Sequence, residues 1–252
     1  MQNIELEQII NNELQIIRYR DYAPNGLQIQ GRSEIKKIVT GVTACQLLLD
    51  QAVALQADAI LVHHGYFWKN EPQTITGIKY QRIKTLLQHD INLLGYHLPL
   101  DGHPVLGNNV QLANLLNITV DKREDDTDLL FKGTLKQPIT ALQFKQQLEQ
   151  QLHNGERPVL FCGDNAPTVI KRIAWCSGGG QDFLESAAEQ GFDAFFTGEV
   201  SERTIHIARE YGINFYAAGH HATERYGIKK LGEWLATQYK LDVIFIDIDN
   251  PA

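Results

Sequence analysis

The chain has 252 residues, enough for one large domain or two small ones at ~100–200 residues per domain. A formal net charge of −7, with 43% hydrophobic and 21% charged residues, is typical of globular proteins and excludes a disordered chain. It also argues against a basic surface over the whole chain for nucleic acid. Local basic patches stay possible.

Three absences narrow the class of protein further. Residues 1–10 contain no apolar core of a secretory signal, and no apolar run approaches the ~18 residues of a membrane span. The three cysteines, Cys45, Cys162 and Cys176, form no CxxC pair. A disulfide framework and a thiolate zinc site are therefore not indicated, and we expect a cytoplasmic protein.

Hydrophobic periodicity predicts alternating helices and strands along the chain. In the first part, helices are expected at 4–17, 45–56 and 78–89, and strands at 27–30, 35–43, 58–64 and 91–97. In the second part, helices are expected at 141–152, 181–190 and 202–211, and strands at 157–163, 170–176, 193–199 and 213–218. This alternation predicts an α/β fold with a largely parallel sheet.

The same order of elements occurs twice, which suggests an internal duplication. Residues 36–64 align with 171–199 without a gap, at a constant offset of 135, and seven of the 29 positions are identical. We therefore predict two similar α/β domains, 1–124 and 125–252, with a metal site in the cleft between them. The acidic stretch 121–128 is the expected linker. Two unrelated α/β units that share small residues are the alternative.

Histidines and carboxylates follow the predicted strands, where open α/β sheets place functional residues. His63 and His64 end one strand and His97 ends the next, while His220 follows the last predicted strand. Glu224 follows His220 by four residues, so the two side chains share one face if residues 220–224 are helical. Pro99 makes a regular helix through 97–101 unexpected, so the equal spacing of His97 and Asp101 does not predict equal geometry.

Imidazole and carboxylate donors without thiolate suit zinc, iron, manganese or nickel, and suit calcium poorly. Separate core or surface histidines are the alternative. Glu199 occupies the position of His64 in the repeat and is a candidate pocket acid. The glycine-rich turn 177–180 either holds a phosphate or only permits a tight turn, and we favour the second interpretation.

The motifs VHHGYFW (62–68), GYHLPLD (95–101), SGGGQDF (177–183), TGEVSE (197–202) and AGHHATER (218–225) resemble the Nif-three-like dinuclear metal proteins. These proteins are also called GTP cyclohydrolase I type 2 homologues. The resemblance is closest to the bacterial short form and covers nearly the whole chain. It implies two similar α/β halves, a homohexameric ring and two metal ions per subunit. The implied ligands are His63, His64, Asp101, His220 and Glu224, with Glu224 bridging and His97 in support.

Three functions are compatible with these features. The leading hypothesis is a metal-dependent hydrolase of a small nucleotide- or pterin-like substrate, with His97 or Glu199 as proton shuttle. The alternative is a non-catalytic metal-containing ring that binds a ligand, docks proteins or associates with DNA, although the net charge opposes DNA. A purely structural metal that only ties the halves together is the third.

Overall fold

The computed structural model describes all residues, 1–252, and the chain forms two compact units. The first unit comprises Met1–Gly107 and Gly227–Asp249, and the second comprises Asn108–Tyr226 and Asn250–Ala252. The domain boundaries expected from the sequence, 1–124 and 125–252, stay a prediction. The acidic stretch 121–128 lies between two strands of the second unit.

A five-stranded sheet forms the centre of the first unit. Its strands are β1 (Gly26–Ile29), β2 (Lys37–Thr43), β3 (Ala59–His64), β4 (Asn92–Gly95) and β11 (Asp242–Phe245). Their order is β1-β4-β3-β2-β11, and only β1 runs antiparallel to its neighbour. The helices are α1 (Asn3–Glu13), α2 (Gln46–Ala54), α3 (Gly77–Gln88) and α4 (Leu98–Gly102).

The second unit contains a six-stranded mixed sheet. Its strands are β5 (Ile118–Val120), β6 (Phe131–Thr140), β7 (Leu160–Cys162), β8 (Val169–Trp175), β9 (Ala194–Thr197) and β10 (Asn214–Ala217), in the order β5-β6-β8-β9-β10-β7. Only β8, β9 and β10 run parallel. The helices are α5 (Asn108–Leu115), α6 (Ala141–His153), α7 (Leu184–Glu189) and α8 (Glu202–Tyr211).

The last helix, α9 (His220–Tyr239), contributes residues 220–226 to the second unit and residues 227–239 to the first. Short 3-10 turns occur at Ile16–Arg18 and Gln181–Phe183. No helix combines the length and the apolar content that crossing a bilayer requires. The predicted α/β class is confirmed, with two sheets and helices on their faces.

Alternating side chains explain why each sheet is covered on both faces. In β3, Leu61 packs into one apolar cluster with helix α1, whereas Ile60 and Val62 pack into another with α2 and α3. In β9, Phe196 and Phe195 divide between two clusters in the same way. Successive strand residues point to opposite faces, so each parallel strand is apolar on both sides. The carboxyl ends of these strands then carry the polar residues.

Candidate metal centre

Three histidines converge at the carboxyl ends of β3 and β4 in the first unit. Nitrogen atoms of His63, His64 and His97 lie within 4.8 Å of one another. The His63 ring centre is 4.6 Å from that of His64 and 5.2 Å from that of His97. The parallel order of β3 and β4 brings these residues together, as the position of functional residues in α/β sheets predicts.

Hydrogen bonds orient the rings of His63 and His97. His63 Nδ1 donates to the carbonyl oxygen of Tyr96 at 2.8 Å, and His97 Nδ1 donates to Asp21 Oδ1 at 2.9 Å. Because a carbonyl and a carboxylate only accept, both Nδ1 atoms carry a proton, so Nε2 is the nitrogen of each ring that could bind a metal. Buried protein acceptors of this kind orient metal-binding histidines.

Asp101 lies beside His63, with 3.4 Å between its Oδ1 and His63 Nε2. Both side chains are almost fully buried. Asp101 belongs to α4, which begins at Leu98, so a short helix covers most of the stretch 97–101 in which a regular helix was not expected. Pro99 is tolerated because it occupies the first turn, where its missing N–H needs no partner. His97 itself is not helical, so His97 and Asp101 do have unequal geometry despite their spacing.

Asp21 is a site residue that the sequence did not reveal. Besides His97, its carboxylate accepts the backbone N–H of Leu98 at 2.9 Å and the side-chain amide of Asn25 at 2.9 Å. Burial opposes ionisation, but His97 and the other donors prevail and lower the pKa of Asp21 to about 2. The sequence around Asp21 predicts only a turn, and Asp21 lies 76 positions before His97. No sequence spacing could have indicated the pair.

In the second unit, the first turn of α9 carries His220 and Glu224 on one face. His220 Nε2 lies 2.9 Å from Glu224 Oε2, and His220 Nδ1 lies 2.6 Å from Glu199 Oε1. Burial would lower the pKa of His220, but the two carboxylates, Glu224 first, raise it to about 9. In the metal-free protein His220 thus holds a proton, which a metal ion would have to displace.

The glycine-rich turn after β8 packs directly against this pair. Gly178 has a φ of +61°, and a Cβ built on it would lie 1.9 Å from Glu224 Oε1 and 3.0 Å from His220 Nε2. Its N–H donates to Thr223 Oγ1 and its carbonyl accepts from Gly198 and Glu199. The interpretation of these glycines as turn formers is consistent with this geometry, which also keeps space for Glu224.

The donor set fits a divalent metal. In the first unit the structure brings together His63, His64, His97 and Asp101, and in the second it brings together His220, Glu224 and Glu199. All donors are imidazole nitrogens or carboxylate oxygens, which suits borderline first-row metals. Histidines outside the clusters have other contacts. His103 Nδ1 accepts two backbone N–H groups, and exposed His206 pairs with Glu202.

The fold and the clusters together define an α/β protein with histidine and carboxylate groups suited to binding divalent metals. A family model described as Duf34/NIF3 (NGG1p interacting factor 3) matches residues 1–251. The chain belongs to this family, and the resemblance seen in the sequence is confirmed.

Individual relatives agree with this assignment. A Yersinia pestis protein described as a GTP cyclohydrolase 1 type 2 homolog is 64% identical over 100% of both chains. A solved structure described as protein ybgI of unknown function is 58% identical, has a TM-score of 0.96 and covers both chains fully. A Thermus thermophilus protein of solved structure is 30% identical over 100% of both chains, with a TM-score of 0.89.

Proposed function

We propose that this chain is a metal-dependent hydrolase of a small nucleotide- or pterin-like substrate. It would hold two divalent ions, zinc, iron, manganese or nickel, with His63, His64, Asp101, His220 and Glu224 as ligands and Glu224 as the bridge. The ligand set comes from the family resemblance. The name carried by the curated relatives agrees with a cyclohydrolase-type reaction but is only their description.

One observation carries the metal part of the proposal. His63, His97 and His220 each direct Nδ1 at a protein oxygen, and Nε2 of His63 and of His220 lies beside a carboxylate of the same unit, Asp101 and Glu224 respectively. Three histidines at three different strand ends share the Nδ1 contact. Buried histidines in general need an acceptor for the ring N–H, but metal-binding histidines also require a fixed tautomer and orientation, which these contacts supply.

Two bound ions would supply Lewis-acid polarisation of the bond attacked and a water of lowered pKa. The protein residues then have to move protons and hold orientation. His97 is placed to accept a proton at Nε2, because its Nδ1 proton is held by Asp21, whose ionised carboxylate stabilises the resulting imidazolium. Glu199 is the alternative shuttle, but its contact with His220 Nδ1 suits it better to positioning His220.

The test combines metal analysis of protein purified without added ions with turnover of GTP, other nucleotides and pterins. We expect two ions per chain and metal-dependent turnover that disappears when His63 and Glu224 are both replaced by Ala. His206→Ala is the matched control, because His206 is exposed and belongs to neither cluster. Absence of turnover with every metal, or turnover unchanged in the double variant, would contradict the proposal.

The same experiment separates the other functions. Two retained ions without any turnover would favour the non-catalytic module that binds a ligand or docks proteins. Unfolding upon chelation would favour a structural metal, because such ions contribute directly to the free energy of folding. A metal ion that keeps an exchangeable water molecule as one of its ligands would favour catalysis over a structural role.

The proposed assembly is a cytoplasmic homohexameric ring, as the family resemblance implies. Native mass spectrometry should then find six copies of the 28.5-kDa chain. A ring could also surround DNA if basic residues cluster on its inner surface, despite the net charge of −7. Salt-dependent DNA binding would support that association, and its absence at low ionic strength would exclude it.

A further inference from the structure

The histidine cluster of the first unit is flanked by an aromatic wall, Tyr22 and Trp68. The Tyr22 ring centre lies 5.0 Å from that of His97, and the Trp68 ring centre lies 5.0 Å from it as well. The two rings meet His97 at steep angles, 70° and 82°, and lie 5.7 Å from each other. Two large aromatic rings thus border the histidine that the proposed function uses as proton shuttle.

The loop that carries Trp68 is held in a strained conformation by polar contacts. Phe67 has a φ of +66°, which bulky residues rarely adopt. Glu71 Oε2 accepts the backbone N–H groups of Phe67 at 2.8 Å and Trp68 at 3.2 Å. Lys79 Nζ lies 3.5 Å from the same Glu71 oxygen and 4.9 Å from the Phe67 ring centre. Strain maintained in this way is characteristic of functional sites.

Backbone hydrogen bonds also hold the segment that carries Tyr22. The carbonyl of Tyr22 accepts the backbone N–H of Lys69 at 2.8 Å, which joins its segment to the Trp68 loop. The neighbouring Asp21 holds the His97 ring, and Asn25 Oδ1 accepts the His97 backbone N–H at 2.8 Å. The wall and the histidine therefore form one ordered surface. Tyr22 nevertheless remains 53% exposed.

We infer that the wall formed by Tyr22 and Trp68 binds the planar nitrogen heterocycle of the substrate by stacking. This inference rests on the proposed function, because it names the residues that would hold the ring of that substrate at the same site. Aromatic side chains bind flat π-systems through their faces and edges, and they tolerate different rings. A wall next to a proton-transferring histidine is the place where a purine- or pterin-type ring would be held for attack.

Guanosine is the probe, because it has the ring without phosphate, and ribose 5-phosphate is the counter-probe. Calorimetric titration of chelated and of metal-loaded protein would measure both affinities. We expect guanosine to bind both forms and Trp68→Ala to weaken its affinity roughly 5- to 150-fold, the range of a lost stacking contact. Tyr22→Ala should weaken it less, and Trp68→Phe should restore most of the affinity.

Tyr80→Ala is the matched control, because Tyr80 is an exposed aromatic residue on α3 of the same unit. It should bind guanosine like the unmodified protein. Metal content should be unchanged in all these variants, and ribose 5-phosphate binding should not depend on Trp68. No binding of guanosine, or equal binding by Trp68→Ala, Tyr22→Ala and the unmodified protein, would overturn the inference.

The outcomes separate this inference from the proposed hydrolase. Trp68-dependent guanosine binding without any turnover would support the heterocycle site and contradict the hydrolase. Metal-dependent turnover of a substrate with no ring, together with Trp68-independent binding, would support the hydrolase and contradict the heterocycle site. Binding is measured on chelated protein too, so a failure of metal loading does not conceal the result.

Discussion

The two units contain the same three-stranded parallel core, and they agree best at the amino ends of its strands. Asp58 Oδ2 accepts the backbone N–H groups of Lys36 and Lys37, and Asp193 Oδ2 accepts those of Lys171 and Arg172, each at 2.8–2.9 Å. The strand register also agrees. Ala59 pairs with Ile38 and Asn92, while Ala194 pairs with Ile173 and Asn214.

Buried asparagines complete this correspondence. Asn92 Nδ2 donates to the carbonyl of Asp58 at 3.1 Å, and Asn214 Nδ2 donates to the carbonyl of Asp193 at 3.0 Å. Seven identities in 29 positions are weak support for common ancestry, and Asp58 with Asp193 is one of the seven. The matching strand registers and the matching contacts of Asn92 and Asn214 add to that count. They support the predicted duplication, which stays a prediction.

The carboxyl ends of the same strands differ. Where the first unit has His64 at the end of β3, the second has Glu199, and the turn after β2 has no glycines in the positions of Gly178 and Gly179. The amino ends fix backbone pairing, which both units need, whereas the carboxyl ends carry only the site. A duplicated fold can therefore keep one end and change the ligands at the other.

The largest effect should come from the site end of the second unit. Glu224→Gln keeps the size of the side chain but removes its charge, so the proposed bridge is lost. We expect metal affinity to fall at least 100-fold, about 3 kcal/mol, and metal content measured by elemental analysis to fall with it. Glu233→Gln on the same helix is the control, because Glu233 is exposed and pairs with Lys230. Equal metal content in both variants would refute the role of Glu224.

The next effect should come from the glycine turn that distinguishes the second unit. Gly178→Ala combines a φ of +61° with a Cβ 1.9 Å from Glu224, so we expect about 2–5 kcal/mol of destabilisation and a loss of metal. Gly155→Ala has a similar φ of +77°, but its Cβ would meet only the flexible end of Gln150. It should cost about 1 kcal/mol in urea unfolding. Similar values for both variants would mean that proximity to Glu224 contributes nothing.

Local patterns predicted the parallel core of both units, because buried strands and amphipathic helices leave periodic signals. The strands β5, β6 and β11 were not predicted. The pairing of β11 with β2 joins residues 242–245 to 37–40, and periodicity carries no information about such distant partners. The i, i+4 relation of His220 and Glu224 was predictable from helix geometry. Asp21 was not, because its role depends on a contact made only in the folded chain.

A smaller effect tests the amino ends of the parallel strands, where the two units have matching contacts. Asp58→Ala and Asp193→Ala each remove the acceptor of two strand N–H groups, so both should destabilise the protein by about 2–3 kcal/mol in urea unfolding. Asp58→Ala should cost slightly more, because Arg32 Nη1 lies 3.1 Å from Asp58. Hydrogen exchange at Lys37 and Arg172 should report which unit has loosened. Asp242→Ala, at a largely exposed residue, should change stability by less than about 0.5 kcal/mol.

If only one of the two aspartate variants destabilised the protein, the matching hydrogen bonds would not have the same role in both units. The duplication would then lose its strongest structural support.

The smallest effect is a pH dependence of stability that arises from Asp21 in the first unit. Asp21 has a pKa of about 2 in the folded protein against 3.8 as its ordinary value, so its ionised form stabilises the fold by about 2 kcal/mol. Because the folded-state pKa is the lower one, this stability is fully present above pH 4 and is lost as the pH falls toward 2. Asp21→Asn should reduce the change in the free energy of unfolding between pH 4 and pH 2, as measured by urea denaturation. Glu34→Gln, at an exposed residue, should leave this change as it is. An unchanged slope in Asp21→Asn would mean that the His97 contact does not hold the carboxylate ionised, and His97 would then lack the partner that fixes its tautomer.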